Sequence, residues 1–273
     1  MSRNKSIFIA ALLAAYAIFT LILTLFLTEV RPVATSLGQL KGKTYLPDMR
    51  SISEIPQRKK QFIGTLAPII QQKNDQLRQL RQSLKLWLAQ LNEGNSLTHR
   101  QALLLKRLEA RYKLSDNTQQ PSLERITALL KRVDTLPASL VLAQAAKESG
   151  WGTSRFAREA NNLFGQWCYQ KGCGLVPKRR SSGARHEVQT FAAIEPAIDA
   201  YFHNLNTHQA YAELRRERQR LRQAGETATG TQLAGYLKHY SSRGQVYIEE
   251  LKALISYNKL AQYDLIAPIT AQE

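Results

Sequence analysis

Residues 140–152 read Leu-Val-Leu-Ala-Gln-Ala-Ala-Lys-Glu-Ser-Gly-Trp-Gly, and a single carboxyl, Glu148, stands in that run. At helical spacing Val141, Gln144, Ala145 and Glu148 share one face, which turns Glu148 inward and away from solvated charges. Burial and the negative end of a helix both disfavour a carboxylate, so the side chain is expected to keep its proton toward neutral pH. Such a group suits general-acid cleavage of a glycosidic bond. Gly150 and Gly152 can end the helix and admit close backbone approach. Trp151 offers an aromatic face of the kind on which sugar rings stack. An inward glutamate can equally serve structure alone, paired with an arginine, and the pattern leaves both readings open.

A second pair with possible chemistry is Cys168 and Cys173 in Cys-Tyr-Gln-Lys-Gly-Cys. In an oxidising compartment this spacing favours a small disulfide-closed loop. Metal binding would need two further ligands. His99, His186, His203, His208 and His239 form no HxxH or HExxH pair, so no metal site and no cofactor is expected.

The compartment is read from the N-terminus. Residues 6–28 carry no charged side chain and are bracketed by Arg3 and Lys5 before and by Glu29 and Arg31 after. At ~1.5 Å per residue the run spans a ~30 Å hydrocarbon core, and no convincing cleavage site follows it. The expectation is an uncleaved, single-pass inner-membrane anchor with a cytoplasmic stub and the rest of the chain in the periplasm.

Residues 31–118 divide into an irregular tether, 32–56, and a basic helical hairpin. Leu66, Ile70, Leu77, Leu80, Leu84, Trp87 and Leu91 predict a first amphipathic helix over 58–91, disturbed at Pro68. Leu104, Leu105, Leu108 and Tyr112 predict the returning partner. A boundary is placed near 115–121, followed by the catalytic part, 119–265, and a tail, 266–273. In the catalytic part 122–133 reads as a helix, and Pro137 opens the helix that ends at Glu148. Residues 175–180 and 184–191 read as two strands around a Ser-Ser-Gly turn. A helix bearing Ile194, Ala197, Ile198 and Tyr201 comes next.

The chain carries 38 Lys and Arg against 21 Asp and Glu, a net charge of +17, with the surplus mostly before residue 119. A basic surface attracts polyanions in general. The Glu- and Arg-rich helix near 213–222 reads as a solvated face laced with ion pairs, and an exported domain does not meet chromosomal DNA, so no nucleic-acid partner is expected.

Glu148-Ser-Gly-Trp-Gly-Thr-Ser154, then Ala157 and Asn161-Asn-Leu-Phe-Gly-Gln166, resembles the motif of the peptidoglycan N-acetylglucosaminidases, glycoside hydrolase family 73. The stretch from Gly165 through Cys173 to Lys178 is similar to a membrane-associated bacterial member of that group. The resemblance covers about residues 121–258. It implies a mostly α (α+β), lysozyme-like glucosaminidase domain with a small β-hairpin lobe. It also implies an endo-β-N-acetylglucosaminidase that hydrolyses the β-1,4 bond of peptidoglycan on the N-acetylglucosamine side. Glu148 matches the catalytic acid, and Asn161, Asn162, Phe164, Gly165 and Gln166 match the segment lining the cleft, with Trp151 beside it as a further substrate contact. For Asn161 and Asn162 the plain alternative is a turn or helix-capping pair.

One departure stands out. The family's second carboxylate has no counterpart among Pro177, Lys178, Arg179 and Arg180. Glu187 is the nearest replacement, ahead of Glu195 and Asp199. Without a second acid, attack by the substrate's own acetamido group is the alternative. Tyr240 is similar to the tyrosine of the family's closing motif, although Arg243 replaces the usual Asp. The rival readings are a lytic transglycosylase and a non-catalytic wall-binding module.

Overall fold

The computed structural model describes Tyr16 and residues 39–114, 120–178, 180 and 183–265. The chain divides into two units, 1–36 and 37–273. Of the first only Tyr16 is described, so the anchor expected over residues 6–28 lies outside the described residues, as does the 266–273 tail. Among the described residues no helix is long and apolar enough to cross a membrane.

The expected mostly helical architecture with a small β lobe is present. Helix α1 (Ile55–Asn92) starts on Pro56, where a missing N–H is harmless, and buries Phe62, Leu66, Ile70, Leu77 and Leu84 at helical intervals. Pro68 does not break it. Proline removes the bond to the Gly64 carbonyl, but Pro68 and Gly64 both face solvent, where that carbonyl can be hydrated. After Gly94, which takes a φ of 82°, helix α2 (His99–Arg111) begins on a Thr98–Gln101 capping box.

The hairpin does not stand apart from the catalytic part. Helix α1 lies against α3 (Ser122–Arg132), α4 (Ala138–Ser149) and α6 (Ile194–Thr207). Arg125 of α3 grips the Glu109 carboxylate of α2 with two hydrogen bonds, 2.5 and 2.7 Å. Asp199 of α6 accepts from Lys73 at 2.5 Å and from Arg111 at 2.9 Å. The boundary expected near 115–121 therefore does not separate two compact units. Asp199, read from sequence as a remote candidate acid, instead ties α1 and α2 to α6.

Part of the expected tether is also packed. Met49 is fully buried and Leu40 nearly so. Thr44 donates its N–H and hydroxyl to the Glu195 carboxylate, and the Ile194 N–H returns a bond to the Thr44 carbonyl. Glu195 is thereby engaged as a clamp on this strap.

Helix α4 sits at the centre, touched by α1, α8 (Gly230–Ala234), α9 (Gln245–Tyr257) and a 3-10 turn at Leu260–Leu265. Every residue from Ala138 to Ala146 is buried, including the polar Ser139 and Gln144, as in a helix enclosed on all sides. A Cβ at Gly230 would fall 2.0 Å from Ser139 Oγ, so only glycine lets α8 approach α4 so closely. The remaining helices are α5 (Arg155–Ala160) and α7 (Ala212–Gln223).

The β lobe departs from the two-strand expectation. It has three short antiparallel strands, β1 (Trp167–Cys168), β2 (Gly174–Leu175) and β3 (Glu187–Gln189), in the order β1-β3-β2. Trp167 pairs with Val188 and Leu175 pairs with the same residue from the other side. Gly174 is obligatory there, because a Cβ would lie 1.9 Å from the Val188 carbonyl oxygen. The first strand escaped sequence reading because two residues are too short for a period-two pattern.

Candidate active site

Glu148 occupies the last turn of α4, on the stripe with Val141 and Gln144. Gln144 is fully buried, and a buried amide must find partners. Its Nε2 donates to the Tyr247 hydroxyl oxygen at 2.9 Å, and its Oε1 accepts from the Tyr201 hydroxyl. Tyr247 in turn donates its own proton to Glu148 Oε1 at 2.8 Å. The result is a directed chain, Tyr201 to Gln144 to Tyr247 to Glu148, spanning α6, α4 and α9.

The other carboxyl oxygen faces the Asn-Leu-Phe-Gly segment. A Cβ at Gly165 would come within 3.7 Å of Glu148 Oε2, and Gly165 is exposed, with a φ of 66°. Glu148 itself is half-buried. Desolvation raises its pKa above the ordinary carboxylate value, against the opposing pull of the Tyr247 hydrogen bond and the Lys147 charge. The direction of that shift is the one that general-acid chemistry at a carboxyl requires.

Tyr240 is brought to the same place but does not touch Glu148 by a hydrogen bond. Its hydroxyl donates to the Phe164 carbonyl at 2.8 Å, and its ring stacks on Tyr247 at 5.7 Å and 9°. Phe164, buried, stacks on Tyr201 at 4.2 Å. Tyr240 thus fixes both the 164–165 backbone and the ring that holds the acid. Burial pushes the phenols of Tyr201, Tyr240 and Tyr247 upward, so all three remain protonated donors at neutral pH.

Several other expected contacts are engaged within the fold. Asn162 is buried and uses its whole amide on backbone. Nδ2 donates to Gln166 O and Gln189 O, while Oδ1 accepts from Phe164 N and Gln166 N. Asn161 caps α5 in the left-handed region, with a φ of 50°, and donates to Phe191 O at 2.8 Å. Asn161 is thus a helix cap, and both amides shape the segment beside Glu148. Gln166 donates to Ala197 O at 3.3 Å.

Trp151 also has protein partners. It follows Gly150 in the left-handed region, with a φ of 56°, which is rare for a bulky residue. Its ring meets Phe62 edge-on at 5.6 Å, and Lys59 Nζ lies 5.0 Å over it. Gly152 packs so tightly that a Cβ would collide with Leu46 and Met49 of the strap. Ser149 Oγ donates to Ala145 O and accepts from Gly152 N. The Ser-Gly-Trp-Gly turn is therefore a packed support that ends α4 directly after Glu148.

The candidates for a second carboxylate lie elsewhere or are occupied. Glu187 accepts from Gly172 N at 3.1 Å and Gly174 N at 2.9 Å, and these bonds hold it ionised, below the usual carboxylate value. It clamps the loop closed by the Cys168–Cys173 disulfide. Cys168, Cys173 and Glu187 are close enough together for a metal ion, but both sulfurs are joined to each other. Glu195 and Asp199 are the clamps described above. Glu250, on α9 one turn beyond Tyr247, is paired with Lys147 and Arg243 and held below the usual range.

A cavity of about 430 Å³ lies at the opposite end of α4, lined by Pro137, Ala138, Arg78, Arg81, Arg218 and Arg222. It contains neither Glu148 nor the tyrosines. Arg81, Arg218 and Arg222 converge there on buried Asp134. In α7, expected as a solvated face, Glu213–Arg216 and Glu217–Arg220 are surface pairs, whereas Arg215 and Arg218 are buried.

Over residues 124–260 the chain matches the glucosaminidase family described as mannosyl-glycoprotein endo-beta-N-acetylglucosaminidase. It is 36% identical to Protein bax of Escherichia coli (strain K12) over 216 residues, 78% of this chain and 74% of that protein. It is 28% identical to exo-glucosaminidase LytG of Bacillus subtilis (strain 168) over 151 residues, 51% of this chain and 50% of that protein. No solved structure shows a significant match.

Proposed function

Because the chain belongs to the glucosaminidase family, we propose that it hydrolyses the β-1,4 bond of peptidoglycan on the N-acetylglucosamine side, in endo fashion, with Glu148 as the general acid. The observation that carries this reading is the Glu148 carboxyl. One oxygen is on the Tyr247 phenol, the other faces the exposed Gly165 backbone, and desolvation favours the protonated form.

In the proposed reaction Glu148 gives its proton to the glycosidic oxygen as the bond to the anomeric carbon breaks. The substrate's acetamido oxygen bonds to that carbon from the other face. Water then opens the cyclic intermediate, and the Glu148 carboxylate takes the water's proton. This route suits a site in which Glu187, Glu195 and Asp199 are each engaged elsewhere. Tyr247 and Gln144 orient the acid, and Tyr240 holds the ring of Tyr247.

The same lone acid supports a second reading, lytic transglycosylation, in which a sugar hydroxyl of the substrate takes the place of water. Residues 6–28 are proposed as a single-pass inner-membrane anchor that places this unit in the periplasm beside the wall. Digestion of purified sacculi by wild type and by Glu148→Gln tests the proposal. Wild type releases fragments, and the variant loses at least about a hundredfold of the rate. Equal rates would remove Glu148 from the mechanism.

A further inference from the structure

The β lobe carries chemistry that the reaction above does not use: an exposed aromatic pair, a disulfide and a carboxylate given over to backbone. Trp167 is 56% exposed and Tyr169 is 72% exposed. Large aromatic side chains gain from burial, and two so open in one small lobe are available to a ligand. Trp167 is not loose. His186 stacks on one face of its ring at 4.1 Å and 16°, and the His186 carbonyl accepts from Arg180.

The backbone keeps Trp167 within a short stretch of chain from the segment that Glu148 faces. Gly165 approaches Glu148 Oε2, and Trp167 lies two residues on, a span of at most about 7 Å. Gln166 donates its side-chain amide to Ala197 O, while Trp167, the first residue of β1, leaves its ring open to solvent. The support under the ring is built by the other two groups. Cys168 is bonded to Cys173, and Glu187, opposite Cys168 in the register, holds the N–H groups of Gly172 and Gly174.

We propose that the outer face of Trp167, with the exposed Tyr169 two residues on, is a stacking site for a sugar ring of the glycan flanking the bond that is cut. Glu187 and the disulfide are its positioning elements. A pyranose presents C–H groups to an indole face, and the second indole face is already braced by His186. The inference rests on the glycan-hydrolase reading for the identity of the ligand.

The test measures binding and cleavage separately. In a Glu148→Gln background, cosedimentation with purified sacculi gives the affinity. Trp167→Ala weakens it about five- to tenfold, the worth of one aromatic stacking contact, and Trp167→Phe recovers most of the loss. Adding Glu187→Ala to Trp167→Ala weakens binding no further, because both act through the same ring. Thermal midpoints and circular dichroism verify that each variant is folded.

For the catalytically intact forms, Trp167→Ala raises KM on long glycan strands more than on short fragments. Unchanged affinity in Trp167→Ala, no binding by the parent, or additive losses in the double variant would overturn the proposal. If wild type fails to cleave but binding still depends on Trp167, the catalytic reading falls and the stacking site stands.

Discussion

Tyr247 donates its hydroxyl proton to Glu148 Oε1 across 2.8 Å while accepting a proton from Gln144 on the same oxygen. The glutamate is therefore aimed by a phenol that is itself fixed by a buried amide. A carboxyl at a frayed helix end would sample many rotamers, whereas this one has a fixed partner in Tyr247.

Tyr247→Phe tests that relationship. Removing the bond loses about tenfold in kcat, the worth of one hydrogen bond to a carboxylate. The Tyr247 bond pulls the Glu148 pKa downward, so its loss lets the pKa rise further. The alkaline limb of the pH–rate profile then moves to higher pH in the variant. A limb that stays in place, or moves down, would separate Tyr247 from the titration of the acid.

Glu148→Gln has an opposite effect on stability. The folded state holds the Glu148 proton more tightly than the unfolded chain does, so stability falls as pH rises from the ordinary carboxylate value through the raised one. Glutamine has no charge to desolvate and its carbonyl can still accept from Tyr247. The variant is therefore expected to melt higher than wild type near neutral pH, with the gain vanishing toward pH ~4. Thermal scans across that range measure the difference, and a variant that melts lower at pH 7 would contradict the burial argument.

Asn162→Ala removes four backbone hydrogen bonds at a buried position. The expected loss is about 2–3 kcal/mol of unfolding free energy, because buried backbone groups are left unpaired. Denaturant unfolding reads it. Activity should fall with it, since the same bonds shape the 164–166 segment facing Glu148; a variant as stable as wild type would return Asn162 to the list of direct sugar contacts.

His203 supplies an acid sensitivity unrelated to catalysis. Its pKa is lowered to about 4 by desolvation first and by Arg111 and Lys113 next, and its Nδ1 has no hydrogen-bond partner among the described residues. A histidine that resists protonation in the folded state stabilises fully above about 6.5 and loses that contribution as pH falls toward about 4. Thermal midpoints of His203→Leu should be flatter than those of wild type over this window. Parallel curves would show that another group governs the acid transition.

The sequence exposes some of this site and hides the rest for physical reasons. Glu148 is legible because one carboxyl on an apolar helical stripe is anomalous in composition alone. Gln144 sits on that stripe too, and its need for buried partners was the available clue to Tyr201 and Tyr247. No spacing rule names those partners, since the contacts join residues 57 and 103 positions apart. Asn161, Asn162 and Trp151 look like sugar-binding residues by type and Glu187 like a second catalytic carboxylate, yet each makes contacts within the fold that only the three-dimensional arrangement shows. The long helices and their apolar faces follow from periodicity, whereas the two-residue strands and the packed strap around Thr44 depend on tertiary pairing.

The most direct test is mass spectrometry of the products formed from purified wall by the purified protein. Glycan fragments ending in reducing N-acetylglucosamine, absent with Glu148→Gln, are the predicted result. Fragments ending in 1,6-anhydro-muramic acid, or undiminished release by the variant, would contradict the account.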